Sequence, residues 1–526
     1  MRHGAQQYRE KGEGIVTDVD VVIVGAGHNG LVAAAYLARA GLTVHLFERR
    51  PIAGGASITE ELWPGFHFST CAHMIHGLHP KLIRDLGLRE RGLRVLPRAD
   101  DLIMWADGTY SGPDTLDSPR NRAFAGRLTA EEREGLRRYQ EFRWTLERLF
   151  APYRLQPPPS LAEVRARAQG TPAAAVLERA LTAHLSEIQE ELLPSERLLE
   201  RAAGEKSSVG RDPLALSLAY SSIDAPEEET GERPPHGYVE GGMGTVVRLL
   251  AEAAEEAGAS IHVDQAVEQL LVEGGHVIGI RLADGRELRS RVVISNLDPK
   301  RTFLKLLAPE HLDPGFRDRV ARLITEVSCY KFLAAISELP RWTAWDGDPD
   351  RPSHGAVGLH RSSAEVNAMF DDLEAGQPPR APVISFSVPS AVDTTLAPPG
   401  AHTASAWIFS APARLREGSW DDVREEVAER LIDQITAYAP NFRRSILHCK
   451  LRTPLDLERE NGLTDGCIWH IQHAGEQLFW NRPLPELAHY RAPLPGLYLC
   501  GAGQHPCGEV TGAPGHNAAH EVLRDW

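Results

Sequence analysis

Hydrophobic positions in this chain come in blocks whose period changes along the sequence. Asp20-Val-Val-Ile-Val-Gly25 is a short run of β-branched residues, the pattern of a strand buried on both faces. Leu31–Ala40 (Leu-Val-Ala-Ala-Ala-Tyr-Leu-Ala-Arg-Ala) is rich in helix formers and closed by Gly41, which predicts a helix. Thr43–Phe47 predicts a second strand. Glu240–Gly258 reads as a loop followed by a helix. Ile261–Val263, Ala266–Val272, Val277–Leu282 and Val292–Ser295 read as strands, turned at Gly274-Gly275 and Asp284-Gly285. Between about 110 and 235 the period lengthens, and Leu177, Leu181, Leu185, Ile188 and Leu192 predict one apolar helical face. Leu497–Cys500 is a last strand, and a helix begins near Gly512. Strand, helix and strand in succession place the fold in the α/β class, with a Rossmann-type unit at its start.

The junction between the first strand and helix is Gly25-Ala-Gly27-His-Asn-Gly30, a G-x-G-x-x-G. Gly25 permits the tight turn, Gly27 lets backbone approach a pyrophosphate, and Gly30 lets helix and strand pack closely. The helix start offers free N–H groups and a favourable dipole to phosphate. Glu48 ends the second strand 18 residues beyond Gly30, placed to accept hydrogen bonds from an adenosine ribose. This unit serves FAD and NAD alike. Arg49-Arg50-Pro51 then leads to Gly54-Gly55-Ala56, where bare backbone can approach a second face of the ligand. Gly241-Gly-Met-Gly244 lacks a preceding strand, and Gly501-Ala-Gly503 lacks the third glycine, so one dinucleotide site is expected. One held cofactor and no separate nicotinamide site favour FAD over NAD.

Composition narrows the partners. At 526 residues two domains are expected, and a net charge of −15 argues against nucleic acid or an anionic membrane as the main partner. The six cysteines form no C-x-x-C pair, which fits reduced thiols and a cytoplasmic protein. Residues 1–17 read as a polar, flexible leader. No run of about 18 apolar residues exists to span a bilayer, while a lipophilic substrate is compatible with peripheral membrane contact.

Residues 24–68, the stretch Gly241–Asn296, the segment Pro389–Gly400 and the stretch Pro495–Ala519 together resemble the phytoene desaturase-type flavoproteins. Within them the chain is most similar to the pyridine nucleotide-disulfide oxidoreductase domain-containing protein 2 group and to FAD-type carotenoid ketolases. The resemblance implies a discontinuous FAD-binding domain at 18–100, 236–300 and 490–526, and a substrate-binding or cap domain at 101–235 and 301–489. It implies adenine contact by the Val267 backbone. It assigns the flavin end to Gly501, Gly503, Gly512 and Ala513. The implied activity is an FAD-dependent oxidoreductase that oxidises or desaturates a small or lipophilic substrate by hydride transfer to flavin N5, with dioxygen or a quinone as acceptor. A flavin-fold protein that uses FAD structurally is the alternative.

Flavin oxidation needs little acid–base apparatus from the protein. Three clusters stand out. Cys71-Ala-His73-Met-Ile-His76-Gly-Leu-His79 matches no standard zinc spacing, so no metal is expected; the alternatives are histidines lining the flavin pocket, His73 foremost, or a polar helix start. Trp469-His470-Ile-Gln-His473 and Gln477-Leu-Phe-Trp480 suggest the substrate side of a pocket or a core strand. His505-Pro-Cys507-Gly-Glu509 replaces a glycine-rich stretch of the resembled family, which nominates Glu509 as a base and His505 and Cys507 as groups near the flavin. A further departure is His516, where that family usually has arginine. Pro157–Pro159 and Glu227–Pro235 read as linkers or exposed loops, and 110–235 as a helical cap without a catalytic residue.

Overall fold

The computed structural model describes residues 16–112, 128–205, 210–325 and 327–526. The leader read at 1–17 lies outside them up to residue 15, and Val16 already belongs to the first strand.

The first strand, Val16–Val24, is the centre of a seven-stranded sheet. Val21, Val22 and Ile23 are fully buried, and each such side chain contributes roughly 1.5–3 kcal/mol by leaving water. Parallel neighbours are Val44–Phe47 on one side, continued by Ser260–His262, and Glu287–Ser295 on the other. Leu497–Leu499 adds in parallel to the end of Glu287–Ser295. Val267–Glu273 and His276–Leu282 continue the sheet as antiparallel strands, with Gly274 and Gly275 both at positive φ in the turn between them. One sheet thus draws strands from three separated stretches of chain. The helices His28–Arg39, Gly244–Glu256 and Ala513–Asp525 cover one of its faces with a shared apolar core.

A second seven-stranded sheet runs in the order Ile446–Arg452, Val327–Ile336, His402–Pro412, Ile384–Ser387, Ala356–Leu359, Leu102–Met104, Tyr110–Ser111. It is antiparallel except where Ala356–Leu359 meets Leu102–Met104.

A helical layer follows, led by Ala130–Phe150, whose Thr129–Glu132 capping box satisfies its first N–H groups. The expected single face from Leu177 to Leu192 is two helices, Ala173–Thr182 and Leu185–Leu192. They part where extended His184 bridges Leu214, and Leu181 is left only half-buried. Nor are the proline and acidic stretches plain exposed loops: Pro158 and Pro159 are buried, and Glu227 is 7% exposed because Arg84 pairs with it at 2.8 Å.

Candidate active site

The glycine turn forms as the spacing requires. Gly25 has φ +97°, Gly27 caps the helix without a side-chain bond, and the first N–H groups of His28–Arg39 carry no side-chain cap. Glu48 Oε2 accepts from the Ala26 N–H at 3.0 Å and Oε1 from the Arg50 N–H at 3.0 Å. The carboxylate therefore ties the end of the second strand to the glycine turn. Gly54, at φ +134°, donates to the Ala26 carbonyl at 2.8 Å and lies beside Gly27, while the Gly55 carbonyl accepts from Asn461 Nδ2 at 3.2 Å. The Gln265 N–H donates to the Glu48 carbonyl at 2.8 Å, which brings the start of the Val267 strand to the same edge.

Other expected cofactor residues are engaged elsewhere. Arg49 Nη2 donates to the carbonyls of Arg459 and Glu460, both at 2.9 Å. Gly501 is bare because a Cβ there would lie 2.8 Å from His470 Nδ1, and one on Gly503 would press on Pro299 at 3.1 Å. Gly512, at φ +71°, makes room for Leu82, and Ala513 is buried at the helix start behind it. Gly515 lies against the Asn29 carbonyl, where a Cβ would sit 2.1 Å away, so the first and last helices meet at their N-termini. Nothing in the local sequence announced that contact.

A cavity of about 590 Å³ extends from Ala56, Ala502 and Gly508 to the helical layer at Leu136, Leu193 and Leu198. His73, His76 and Glu509 line it; His79, His505 and Cys507 do not. His79 caps the helix Pro80–Asp85, accepting from the Lys81 N–H at 3.2 Å. His505 is buried, and its Nε2 donates to the Tyr153 carbonyl at 2.8 Å. Cys507 is fully buried, and burial pushes its thiol well above the usual range.

Glu509 is held by hydrogen bonds on both carboxylate oxygens. Its Oε1 accepts from Trp469 Nε1 at 2.6 Å, and its Oε2 meets His76 Nε2 at 3.2 Å; His76 Nδ1 meets Asp224 Oδ1 at 3.3 Å. Burial would raise the carboxyl, but His76, Tyr220 and Trp469 outweigh it and hold Glu509 well below the ordinary value. The carboxylate is thus held as an anion between Trp469 and His76. Burial would lower His76, yet hydrogen bonds to Asp224 and Glu509 raise it to about 10, so an imidazolium bridges two carboxylates. Glu509 and Val510 both have φ of +58°, a left-handed pair costly for non-glycine residues.

The pH dependence follows from those two shifts. His76, raised above its unfolded 6.5, contributes stability fully present below pH 6.5 and lost as pH rises toward about 10. Glu509, depressed, contributes stability present above its unfolded 4.5 and lost as pH falls. His76→Gln should therefore flatten the fall in urea midpoint between pH 6.5 and 10; a variant with the wild-type slope would show that His76 does not carry it.

The aromatic wall comes from two elements. Trp407 and Phe409, on the strand His402–Pro412, stack at 5.6 Å, and Phe409 stacks on Trp469 at 6.3 Å. Trp407 Nε1 donates to His73 Nδ1 at 2.6 Å; burial holds His73 neutral, so its proton sits on Nε2. Lys331, fully buried, donates to the carbonyls of Ser69 and Cys71 at 2.7 and 2.8 Å and lies over the Trp407 ring. Burial lowers its ammonium to about 7. His473 also lines the cavity, whereas Gln477, Phe479 and Trp480 do not; Phe479 stacks on Phe150 at 3.9 Å within the helical layer. Tyr220, Asp224, Lys331 and Trp407 were not singled out in the sequence. Each lies in a segment whose pattern signals only burial or helix.

Five of the buried polar atoms without a protein partner lie at the glycine turn and the 501–504 segment. They are His28 Nε2 and Asn29 Oδ1 at the start of the first helix, His470 Nδ1 beside Gly501, and both amide atoms of Gln504. A polar ligand there would satisfy them, and a dinucleotide running from the glycine turn to the 501–504 segment fits. Residues 30–523 match the family described as flavin containing amine oxidoreductase. The chain belongs to that family. Its cofactor is FAD, which removes the NAD alternative.

This flavin amine oxidoreductase is 35% identical to the rat (Rattus norvegicus) pyridine nucleotide-disulfide oxidoreductase domain-containing protein 2, over 97% of this chain and 94% of the relative. It is 26% identical to the lycopene-forming phytoene desaturase of Pseudescherichia vulneris, over 93% and 96% of the two chains. Among solved structures it is similar to wild-type putrescine oxidase bound to putrescine, with a TM-score of 0.62, 16% identity, and coverage of 97% and 99%. That likeness shows a shared fold. The resemblance to phytoene desaturase-type flavoproteins is borne out by these relatives.

Proposed function

We propose that this FAD-dependent oxidoreductase oxidises or desaturates a small or lipophilic organic molecule within the 590 Å³ cavity. The observation that carries the reading is the cavity itself: an aromatic wall of Trp407, Phe409 and Trp469 at the end nearest Ala56 and Ala502, and an end beneath the helices where Leu136, Leu193 and Leu198 alternate with Arg143, Arg201 and Glu205. The relative named a phytoene desaturase supports a lipophilic substrate. FAD, when bound, supplies the hydride acceptor at flavin N5, and dioxygen or a quinone takes the electrons onward.

Gly25, Gly27 and Gly30 would hold the pyrophosphate, Glu48 the ribose, and the Val267 backbone the adenine. Gly54, Gly55, Ala56, Gly501 and Gly503 would lie along the remainder, with Arg49 fixing the loop at 459–460 against it. The aromatic wall orients the substrate and excludes water. The Trp407 N–H fixes the His73 ring, leaving Nε2–H as its free donor. No helix among the described residues is long and apolar enough to cross a membrane, and collection of a lipophilic substrate at a membrane surface belongs to the same proposal.

The test is anaerobic mixing of purified yellow protein with a terpene hydrocarbon, a long-chain alcohol, a fatty acid and a diamine in turn. Bleaching of the flavin band by a lipophilic donor is expected. A flavin that stays oxidised with every donor would overturn the reading and favour structural use of FAD.

A further inference from the structure

Three arginines line the cavity. Arg143 donates to Glu205 Oε1 at 3.0 Å and Arg201 to the Gly112 carbonyl at 3.0 Å. Arg98 differs. Its side chain is only 7% exposed, yet its Nε has no hydrogen-bond acceptor. Nη1 meets the Met74 sulfur at 3.9 Å, a weak acceptor, and His236 Nε2 at 3.3 Å. Nη2 forms an ion pair with Asp101, whose side chain is 59% exposed and therefore screened by water. A guanidinium presents five N–H donors in a planar fork, and a buried donor without an acceptor costs about 1–3 kcal/mol. The ion-pair partner of Arg98, Asp101, itself lines the cavity and is open to water, and Tyr238 adds a side-chain hydrogen bond, so a ligand anion would meet the guanidinium in competition with Asp101.

The surroundings say which part of a ligand would meet it. The His236 ring beside Arg98 lies 6.3 Å from that of His76, which meets Glu509 at 3.2 Å. Glu509, His76 and Arg98 all line the cavity, so one side of it is polar. Leu136, Leu193, Leu198, Val383 and Ile384 line the cavity toward the helices. A ligand that satisfies both carries an anionic planar group and an apolar remainder.

We infer that Arg98 binds a substrate carboxylate, and that the substrate class is a lipophilic carboxylic acid with its apolar part along the leucine-lined end. The inference rests on the oxidation site proposed above. Carboxylate matches the guanidinium fork in shape and charge, and charge-assisted pairs of this kind are the strong hydrogen bonds of proteins.

The probes are decanoate and 1-decanol, titrated into the FAD-loaded enzyme and read by quenching of tryptophan fluorescence, since Trp407 and Trp469 line the cavity. Decanoate should bind about 10–100-fold more tightly than decanol, the worth of one hydrogen-bonded charge pair. Arg98→Met should remove that preference while leaving flavin content and decanol binding intact. Asp101→Asn, which frees Nη2, should tighten decanoate binding several-fold. Equal binding of the two probes by wild type, or unchanged decanoate binding in both variants, would overturn the assignment even if Arg98→Met folds poorly. Bleaching by neutral donors without decanoate preference would sink the carboxylate site and leave the oxidoreductase reading standing. Decanoate preference on a flavin that no donor reduces would do the reverse.

Discussion

Gly30→Ala is expected to yield protein with less than about a tenth of the wild-type flavin. A Cβ at Gly30 would lie 2.4 Å from the Gly25 carbonyl oxygen and 3.0 Å from Asn296 Nδ2. Neither neighbour yields easily. The Gly25 N–H is bonded to the Phe47 carbonyl at 2.8 Å, and Asn296 Nδ2 donates to the Gly25 carbonyl at 3.0 Å. The helix His28–Arg39 must therefore move off the strand, at an overpacking cost of about 1–3 kcal/mol. The same movement withdraws its N-terminal N–H groups from the pyrophosphate, so cofactor loss exceeds what the stability change alone would produce. Gly41→Ala is the matched control. Gly41 closes the same helix at φ +90° with nothing within 4 Å of its Cβ position, so only backbone strain of about 1–2 kcal/mol results. Visible flavin absorbance per protein, measured after purification, separates the two. Full flavin in Gly30→Ala would remove the glycine turn from the cofactor site.

The cofactor unit was legible because its signals are local. Glycines, helix formers and Glu48 lie within about 30 residues, and each is required by backbone geometry that neighbours in sequence determine. The strands at 260–295 were legible for the same reason, with Gly274 and Gly275 marking their turn. The catalytic end was not. Glu509 and His76 are 433 positions apart, and His76 and Asp224 are 148 apart, so no spacing rule could pair them. The sequence did draw notice to Glu509, but assigned it a proton-accepting role that depends on its partners. His505 and Cys507 share its segment, yet neither side chain lines the cavity. Likewise the helical period from Leu177 to Leu192 could not show the break at His184, which a tertiary bridge to Leu214 imposes.

Arg482→Met should cost about 3–5 kcal/mol of stability and release the loop that builds the flavin end of the cavity. Arg482 is fully buried, and its guanidinium is turned to backbone carbonyls. Its Nη1 donates to the carbonyls of Gln472 and Gln477 at 3.2 and 3.1 Å; its Nη2 donates to those of Trp469, Ile471 and Ala502 at 3.1, 3.3 and 3.0 Å. Two effects oppose each other. Burying the guanidinium is unfavourable, by enough to lower its pKa to about 10, and methionine removes that penalty. Against this, methionine removes a donor from five buried carbonyls, of which that of Gln472 keeps its bond from Gln477 Nε2 at 3.2 Å, at about 1–3 kcal/mol for each one left bare. The bared acceptors outweigh one desolvated cation, which fixes the sign. Arg482→Lys should recover little, because a compact ammonium with three donors cannot span the fork. The consequence reaches function through Trp469. Its carbonyl is held by Arg482 and its indole N–H by Glu509, so the loosened loop should shed flavin and aromatic wall together. Urea unfolding and flavin retention, followed on the same samples, should fall in parallel. A variant as stable as wild type would show that water or the relaxed loop satisfies those carbonyls, and that the arginine is not what fixes the cavity.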